Sequence, residues 1–107
     1  MGGMGYAPSA DIGDEHAVFQ PCHGSAPDIA GKGLANPAAM VLSASMMLDW
    51  LGETKGVASA GNAGRMLREA VENAFAPGAL VTCELGGDAG TATVFEAVAA
   101  ALEKVDA

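Results

Sequence analysis

The distribution of apolar and polar residues in the second half of the chain predicts three helices, of which the first is the most apolar. Residues 37–51 are interrupted by a polar side chain only three times, so an apolar surface runs almost completely around this helix. Asn36 is a favourable N-cap, Pro37 suits the first helical position, and Gly52 predicts the end of the helix. A helix of this composition requires burial on most of its faces.

A second helix is predicted over residues 57–75, because apolar residues recur there at steps of three and four. Gly61 and Gly64 weaken its first turns by up to about 1 kcal/mol each relative to alanine. The expected inward residues are Ala60, Ala63, Leu67, Ala70, Val71 and Ala74, and the residues expected to face water are Arg65, Arg68, Glu69 and Glu72.

A third helix is predicted over residues 91–105, following a connector at 80–90 that can contain a short strand at 80–82. Thr93 and Glu96 also fit a capping box, which would move the start of the helix by two residues. The inward stripe of this helix consists of Val94, Ala97, Val98, Ala101, Leu102 and Val105.

The N-terminal part of the chain has a different character, since residues 1–36 contain seven of the fifteen glycines. Such a sequence is typical of turns and loops. Residues 17–20 form a short strand candidate, and a weaker extended stretch is predicted at residues 6–10. We therefore expect a single domain in which residues 1–36 form a turn, a short strand and a loop, and residues 37–107 form the three-helix segment.

Composition and charge exclude several classes of partner. Thirteen acidic residues against five basic ones give a net charge of −8, which disfavours nucleic acid and anionic membrane surfaces. No apolar run reaches the roughly 18 residues of a membrane span, and the N-terminus lacks the pattern of a secretory signal. Cys22 and Cys83 are interpreted as free thiols in a reducing cytoplasm, with Cys22 buried at the end of a strand.

Residues 23–37, with the sequence HGSAPDIAGKGLANP, combine features that suit a nucleotide. Small residues let a flat ligand approach the backbone, and the start of a helix offers free N–H groups at the far end. Asp28 can accept hydrogen bonds from the vicinal hydroxyls of a ribose, and Asn36 can pair with the edge of a heterocycle. From the residues alone, an ordinary surface loop with Asn36 as a plain helix cap is the favoured interpretation, and a nucleotide site is the alternative.

This segment resembles the cofactor loop of the β-decarboxylating dehydrogenases, the family of isopropylmalate, isocitrate and tartrate dehydrogenases. The resemblance extends upstream to residues 2–13 (GGMGYAPSADIG) and downstream to residues 43–48 (SASMML) and 86–91 (GGDAGT). It implies an α/β fold, with this chain forming the mostly helical C-terminal portion of an isopropylmalate-dehydrogenase-like domain.

The resemblance also implies roles for individual residues. Asp28 followed by Ile29 is similar to the NAD-using members, whereas NADP-using members carry Lys-Tyr there; a carboxylate accepts a 2′-hydroxyl and repels a 2′-phosphate. Gln20 departs from the Glu common in the family before the loop. The residues implied to line the adenosine and phosphate region are His23, Gly24, Ser25, Ala26 and Asp28, and those implied to hold the adenine are Ala35 and Asn36.

The activity implied by the family is the NAD-dependent oxidation and decarboxylation of a 2-hydroxy diacid. The favoured substrate resembles 3-isopropylmalate; isocitrate, tartrate and malate are the alternatives. Family members bind Mg²⁺ or Mn²⁺ through aspartates upstream of the segment that this chain matches, and their acid/base Tyr and Lys lie further upstream. The chain alone is therefore expected to be inactive and to need the missing N-terminal portion of the enzyme.

Two other interpretations stay open: a catalytically inert fragment that acts by association, and a small stand-alone nucleotide-binding module. An in-frame continuation with paired aspartates, in the coding DNA upstream of Met1, would favour the enzyme. Two local features have simple explanations. Residues 14–16 (Asp-Glu-His) are expected to form a solvated turn rather than a metal site, and Met40, Met46 and Met47 are expected to pack in the core.

Association is expected because the helix at 37–51 needs more cover than the two shallow, alanine-rich helices provide. The chain is predicted to form a homo-oligomer through Met40, Met47 and Trp50, or to be a partly molten monomer.

Overall fold

A computed structural model describes residues 6–76, 80, 82 and 87–105 of the chain. Within these residues, two antiparallel strands precede three helices, which agrees with the predicted α/β fold class and its mostly helical content. The elements are β1 (Pro8–Ile12), β2 (Ala17–Pro21), a 3₁₀ turn (Pro27–Ile29), α1 (Ala38–Thr54), α2 (Ala58–Phe75) and α3 (Thr91–Glu103).

The two strands form a hairpin in which Pro8 pairs with Pro21 and Ile12 with Ala17. The predicted strand at 17–20 is confirmed and is one residue longer. The extended stretch predicted at 6–10 is displaced to Pro8–Ile12, because its pairing with β2 fixes its limits. Both prolines lie at the open end of the hairpin, where a missing N–H costs least. The polar residues 14–16 form an exposed turn, as expected.

Helix α1 begins at Ala38, one residue later than predicted, and the Asn36 side-chain oxygen accepts a hydrogen bond from the Ala38 N–H at 3.0 Å. The predicted end at Gly52 is wrong, because α1 continues to Thr54. Gly52 faces α2 instead: a Cβ on it would lie 2.8 Å from the Cα of Gly61. The backbone reverses after the helix at Gly56, whose φ of +71° suits glycine.

Helix α2 matches the predicted segment 57–75 to within one residue, and its glycines contact α1. A Cβ on the buried Gly64 would lie 2.9 Å from the Ser45 carbonyl oxygen, and the Ser45 hydroxyl donates to the Gly64 carbonyl at 2.9 Å. Arg68, expected only to face water, also pairs with Asp49 of α1 at 2.6 Å. The glycines of α2 are unfavourable for helix formation, but they allow α1 and α2 to pack closely.

Two further expectations for α2 and α3 are corrected. Ala63, expected to face inward, is exposed, because Gly64 occupies the contact with α1. The capping-box alternative for α3 is wrong, since the helix is preceded by Gly90 as N-cap and starts at Thr91.

The core lies between α2 and α3 and includes Leu42 of α1. The predicted stripe of α3 faces it, with Val94 and Val98 buried and the other four members partly buried. Tyr6 seals one side: its ring meets Phe75 edge-on with centroids 5.1 Å apart, and its buried hydroxyl lies 2.8 Å from Thr82 Oγ1. The buried cluster consists of Leu42, Ala70, Val71, Ala89, Val94 and Val98.

The short strand predicted at 80–82 lies partly outside the described residues. Thr82 forms an isolated parallel bridge with Ala89, and residue 81 is not among those described. Of the helices in the described part of the chain, none is sufficiently long and apolar to cross a membrane.

The methionines of α1 were expected in the core, and this is wrong for two of them. Met40 is 56% exposed and Met47 39% exposed, whereas Met46 is half-buried. The other sides of α1 are covered by α2 and by the hairpin, where Phe19 and Trp50 have ring centroids 6.2 Å apart. The uncovered side thus presents Met40 and Met47 to solvent.

Candidate functional site

The segment between β2 and α1 surrounds a cavity of about 350 Å³. Two parts of the segment contribute the lining: residues 23–29 form what we call the first wall, and the last residues before α1 form the second wall. The cavity is lined by His23, Gly24, Ser25, Ala26, Ile29, Ala35 and Asn36.

The first wall is shaped by a series of tight turns. His23 Nδ1 lies 2.8 Å from the Gly24 carbonyl oxygen. Ala26 adopts left-handed backbone angles, with φ 45° and ψ 61°, a conformation that costs a residue with a Cβ about 1 kcal/mol. The Ile29 N–H then donates to the Ala26 carbonyl at 3.1 Å, which forms the 3₁₀ turn. These turns direct the segment back toward α1.

The second wall is formed where the segment enters α1. Gly33 has a φ of +70°, and Ala35 and Asn36 follow it along the cavity. The hydrogen bond from the Ala38 N–H holds the Asn36 carboxamide oxygen at the first turn of the helix. Behind this wall lies the start of α3, where the Thr91 N–H donates to the Gly33 carbonyl at 2.9 Å. The Thr91 hydroxyl also donates to the Ala35 carbonyl.

Six of the seven residues predicted for the site lie together around this cavity. The seventh, Asp28, is not among the lining residues; it is exposed and sits in the 3₁₀ turn between two positions of the lining, Ala26 and Ile29. Ile29 lines the cavity but was not predicted to do so. Leu34 is a second branched apolar residue of the same loop, so the sequence alone does not identify Ile29 as a lining residue.

The polar side chains of the first wall are accessible from solvent, since His23 and Ser25 are both exposed. Cys22, next to them, was expected to be buried at the strand end, and this is wrong: it is exposed, with its thiol 3.6 Å from the Pro8 carbonyl oxygen. The chain leaves the sheet after Pro21, so no neighbouring strand covers the thiol. Residues 6–76, 80, 82 and 87–105 contain no group of three or more His, Cys, Asp or Glu side chains that could hold a metal ion.

Comparison with known proteins gives a consistent match. The sequence model of the family described as isocitrate/isopropylmalate dehydrogenase matches residues 1–98. An isocitrate/homoisocitrate dehydrogenase of Thermus thermophilus is 51% identical over 105 residues, which are 98% of this chain and 29% of that protein. A 3-isopropylmalate/3-methylmalate dehydrogenase of Methanocaldococcus jannaschii is 50% identical over 99 residues, 92% of this chain and 27% of that protein.

The fold is likewise similar to that of solved members. The crystal structure of a β-decarboxylating dehydrogenase from Thermococcus kodakarensis, in its apo form, superposes with a TM-score of 0.79 at 40% identity. The match covers 94% of this chain and 27% of that one. The chain thus spans less than a third of the length of these relatives. The family match, the sequence identities and the shared fold confirm the resemblance: the chain belongs to the isocitrate/isopropylmalate dehydrogenase family, whose members are β-decarboxylating oxidoreductases.

Proposed function

We propose that the cavity between the 23–36 loop and α1 binds the adenosine end of NAD, as part of a dehydrogenase that oxidises and decarboxylates a 2-hydroxy diacid. The observation that carries this proposal is the convergence of six residues, assigned to the adenosine region by resemblance, on one cavity. They come from both ends of a loop of fourteen residues, 23–36, so their convergence is a property of the fold rather than of adjacency in sequence.

The size and chemistry of the cavity support an adenosine. Small-molecule sites occupy about 300–1,000 Å³, so a cavity of about 350 Å³ suits one half of a dinucleotide better than the whole. Gly24, Ala26 and Ala35 leave room for a flat ring near the backbone. On the exposed side, His23 and Ser25 provide polar groups for the phosphate and ribose.

We propose that Asp28 determines the preference for NAD over NADP. Asp28 is exposed and lies in the 3₁₀ turn between the lining residues Ala26 and Ile29, so a ribose at the rim of the cavity would be close to it. A carboxylate accepts hydrogen bonds from vicinal hydroxyls and repels a 2′-phosphate.

When bound, NAD would supply the hydride acceptor for the oxidation of a 2-hydroxy diacid, and the residues that would hold its adenosine end are those that line the cavity. The residues of this chain contribute by binding and orienting the adenosine end of the cofactor. By resemblance, Mg²⁺ or Mn²⁺ and the acid/base Tyr and Lys belong to parts of the family proteins upstream of the matched segment. We therefore propose that the chain alone is inactive and acts with such an upstream portion. A 3-isopropylmalate-like diacid is the proposed substrate, with isocitrate, tartrate or malate as alternatives.

We also propose that the chain associates with a second copy through the uncovered side of α1. The exposed methionines Met40 and Met47 lie on this helix, together with the half-buried Trp50. Covering apolar surface contributes about 25 cal/mol per Å², which favours association. Sedimentation at micromolar concentration should show a dimer or a larger species; a sharp monomer with a cooperative melt and no binding of hydrophobic dyes would contradict this.

With Cys22 free, we place the enzyme in the reducing cytoplasm.

Calorimetric titration of the purified chain tests the cofactor proposal directly. NAD should bind saturably and more tightly than NADP, and the chain should produce no NADH from isopropylmalate, isocitrate, malate or tartrate with either metal. Absence of NAD binding would favour an inert fragment, and equal affinity for both cofactors would contradict the role of Asp28.

A further inference from the structure

Gly90 and Thr91, at the start of α3, contact the loop of residues 23–36. Thr91 makes two hydrogen bonds to it, from its N–H to the Gly33 carbonyl at 2.9 Å and from its hydroxyl to the Ala35 carbonyl. Gly90 packs against the same peptide: a Cβ on Gly90 would lie less than 3.0 Å from the Gly33 carbonyl oxygen. Two carbonyl groups of the loop therefore accept hydrogen bonds from one residue, which lies more than fifty positions away in sequence.

These contacts differ in kind from the turns that shape the rest of the loop. The bonds from Ile29 to Ala26 and from Lys32 to Ile29 each join residues three positions apart. Such turns fix the local path of the chain but not its place relative to the helices. The bonds from Thr91 supply that placement, because they connect the loop to a different element of the fold.

The helix that begins at Thr91 is anchored in the core by its next two turns. One turn into α3, Val94 is fully buried, and Val98 on the next turn is buried beside it in the core. A helix anchored in this way cannot shift without opening the core. Because α3 is anchored in the core, the hydrogen bond from Thr91 fixes the position of the Ala35 carbonyl. Ala35 in turn lines the cavity.

We propose that Thr91 is a positioning residue for the adenosine site: its two hydrogen bonds hold the Gly33–Ala35 segment so that Ala35 and Asn36 form the second wall of the cavity. The inference rests on the proposed function for its ligand but concerns a residue outside the cavity lining. Thr91 touches no cofactor in this scheme. It acts through the loop, in preorganising a wall that the ligand would otherwise have to order at a cost in affinity.

The test compares four forms of the full chain: wild type, Thr91→Val, Thr91→Ser and Thr93→Val. Valine has nearly the shape of threonine but cannot donate to Ala35, whereas serine can. Thr93 is exposed on the same helix and serves as the matched control. Each form is measured by hydrogen exchange of the amides of residues 30–36, by calorimetric titration with NAD, and by a thermal melt.

We expect Thr91→Val to accelerate exchange in the loop and to weaken NAD binding roughly tenfold, the effect of one lost hydrogen bond. Thr91→Ser should retain the exchange rate and the NAD affinity of the wild type, and Thr93→Val should leave both unchanged. Unchanged exchange in Thr91→Val would overturn the inference, as would faster exchange with unchanged NAD affinity. If the wild type itself binds no NAD, the proposed function fails, while the exchange data still decide whether Thr91 holds the loop.

Discussion

Glycines occur both at the contact between α1 and α2 and in the loop of residues 23–36, and the two regions use them in different ways. At the helix contact, a Cβ on Gly64 would lie 2.6 Å from the Asp49 carboxylate and 2.9 Å from the Ser45 carbonyl oxygen. In the loop, a Cβ on Gly33 would meet nothing within 4 Å, but its φ of +70° is unfavourable for other residues. At the helix contact, glycine is required because there is no space for a Cβ. In the loop, glycine is favoured because the backbone has a positive φ.

This difference follows from what each region must do. The helix contact is buried and is held by side chain and backbone together, as the Ser45–Gly64 hydrogen bond shows. In the loop, His23 and Ser25 are exposed and little packing supports them, as the proposed ligand site would require. A surface of this kind obtains its shape from turns and a few long-range hydrogen bonds rather than from burial. Substitutions should consequently act on stability in the first region and on binding in the second.

The largest effect is expected for Gly64→Val. The valine side chain would overlap backbone atoms of Ser45 and Asp49, and overpacking of this kind costs about 2–3 kcal/mol, more than the helix propensity that valine adds. Chemical denaturation should show this loss of unfolding free energy. Ala63→Val, at the exposed neighbouring position, should change stability little. Equal stability of the two variants would mean that α1 and α2 are not in close contact.

A smaller effect, confined to binding, is expected for Asp28→Ala. Loss of the hydrogen bonds to the ribose should weaken NAD by about 1–2 kcal/mol, and the penalty against NADP should shrink. Because Asp28 is exposed and outside the core, the thermal melt should hardly change.

The matched control for Asp28→Ala is Asp14→Ala, which removes the same charge from the exposed hairpin turn. It should leave the preference between NAD and NADP intact. If both variants weakened NAD equally, the effect would arise from net charge, and the local role of Asp28 would be excluded.

The smallest effect, of opposite sign, is expected for Ala26→Gly. Ala26 has a φ of 45°, so glycine should stabilise the chain by up to about 1 kcal/mol. Ala30→Gly provides the comparison, because Ala30 has an ordinary φ of −61° and glycine there only adds freedom to the unfolded chain. Denaturation midpoints should therefore move in opposite directions. A loss of stability in both variants would show that Ala26 is not in the left-handed region.

Much of the fold follows from local pattern. The three- and four-residue spacing predicts α2 and α3 to within two residues at each end, because one face of each helix is apolar and the other polar. The same reasoning fails at Gly52, which is a stop signal in sequence but a helix contact in the structure. It also fails for Met40, since an apolar pattern does not say which faces of a helix other elements will cover.

The site is less visible in the residues themselves. The residues of the loop by themselves favour an ordinary surface loop, and only the resemblance to a family favours a nucleotide site. The roles of Ile29 and Thr91 require tertiary structure, because Ile29 reaches the cavity through the 3₁₀ turn and Thr91 reaches the loop from another helix. Neither contact has a local sequence signature.

We propose that NAD binds by its adenosine end between the two walls of the loop. It is tested most directly by titrating the isotope-labelled chain with NAD while recording amide and histidine ring resonances. We expect saturable shifts concentrated at His23, at residues 24–26 and at Ala35 and Asn36, with NADP producing them only at higher concentration. Saturable shifts located on α2 and α3 instead, or no shifts at all at millimolar NAD, would contradict it.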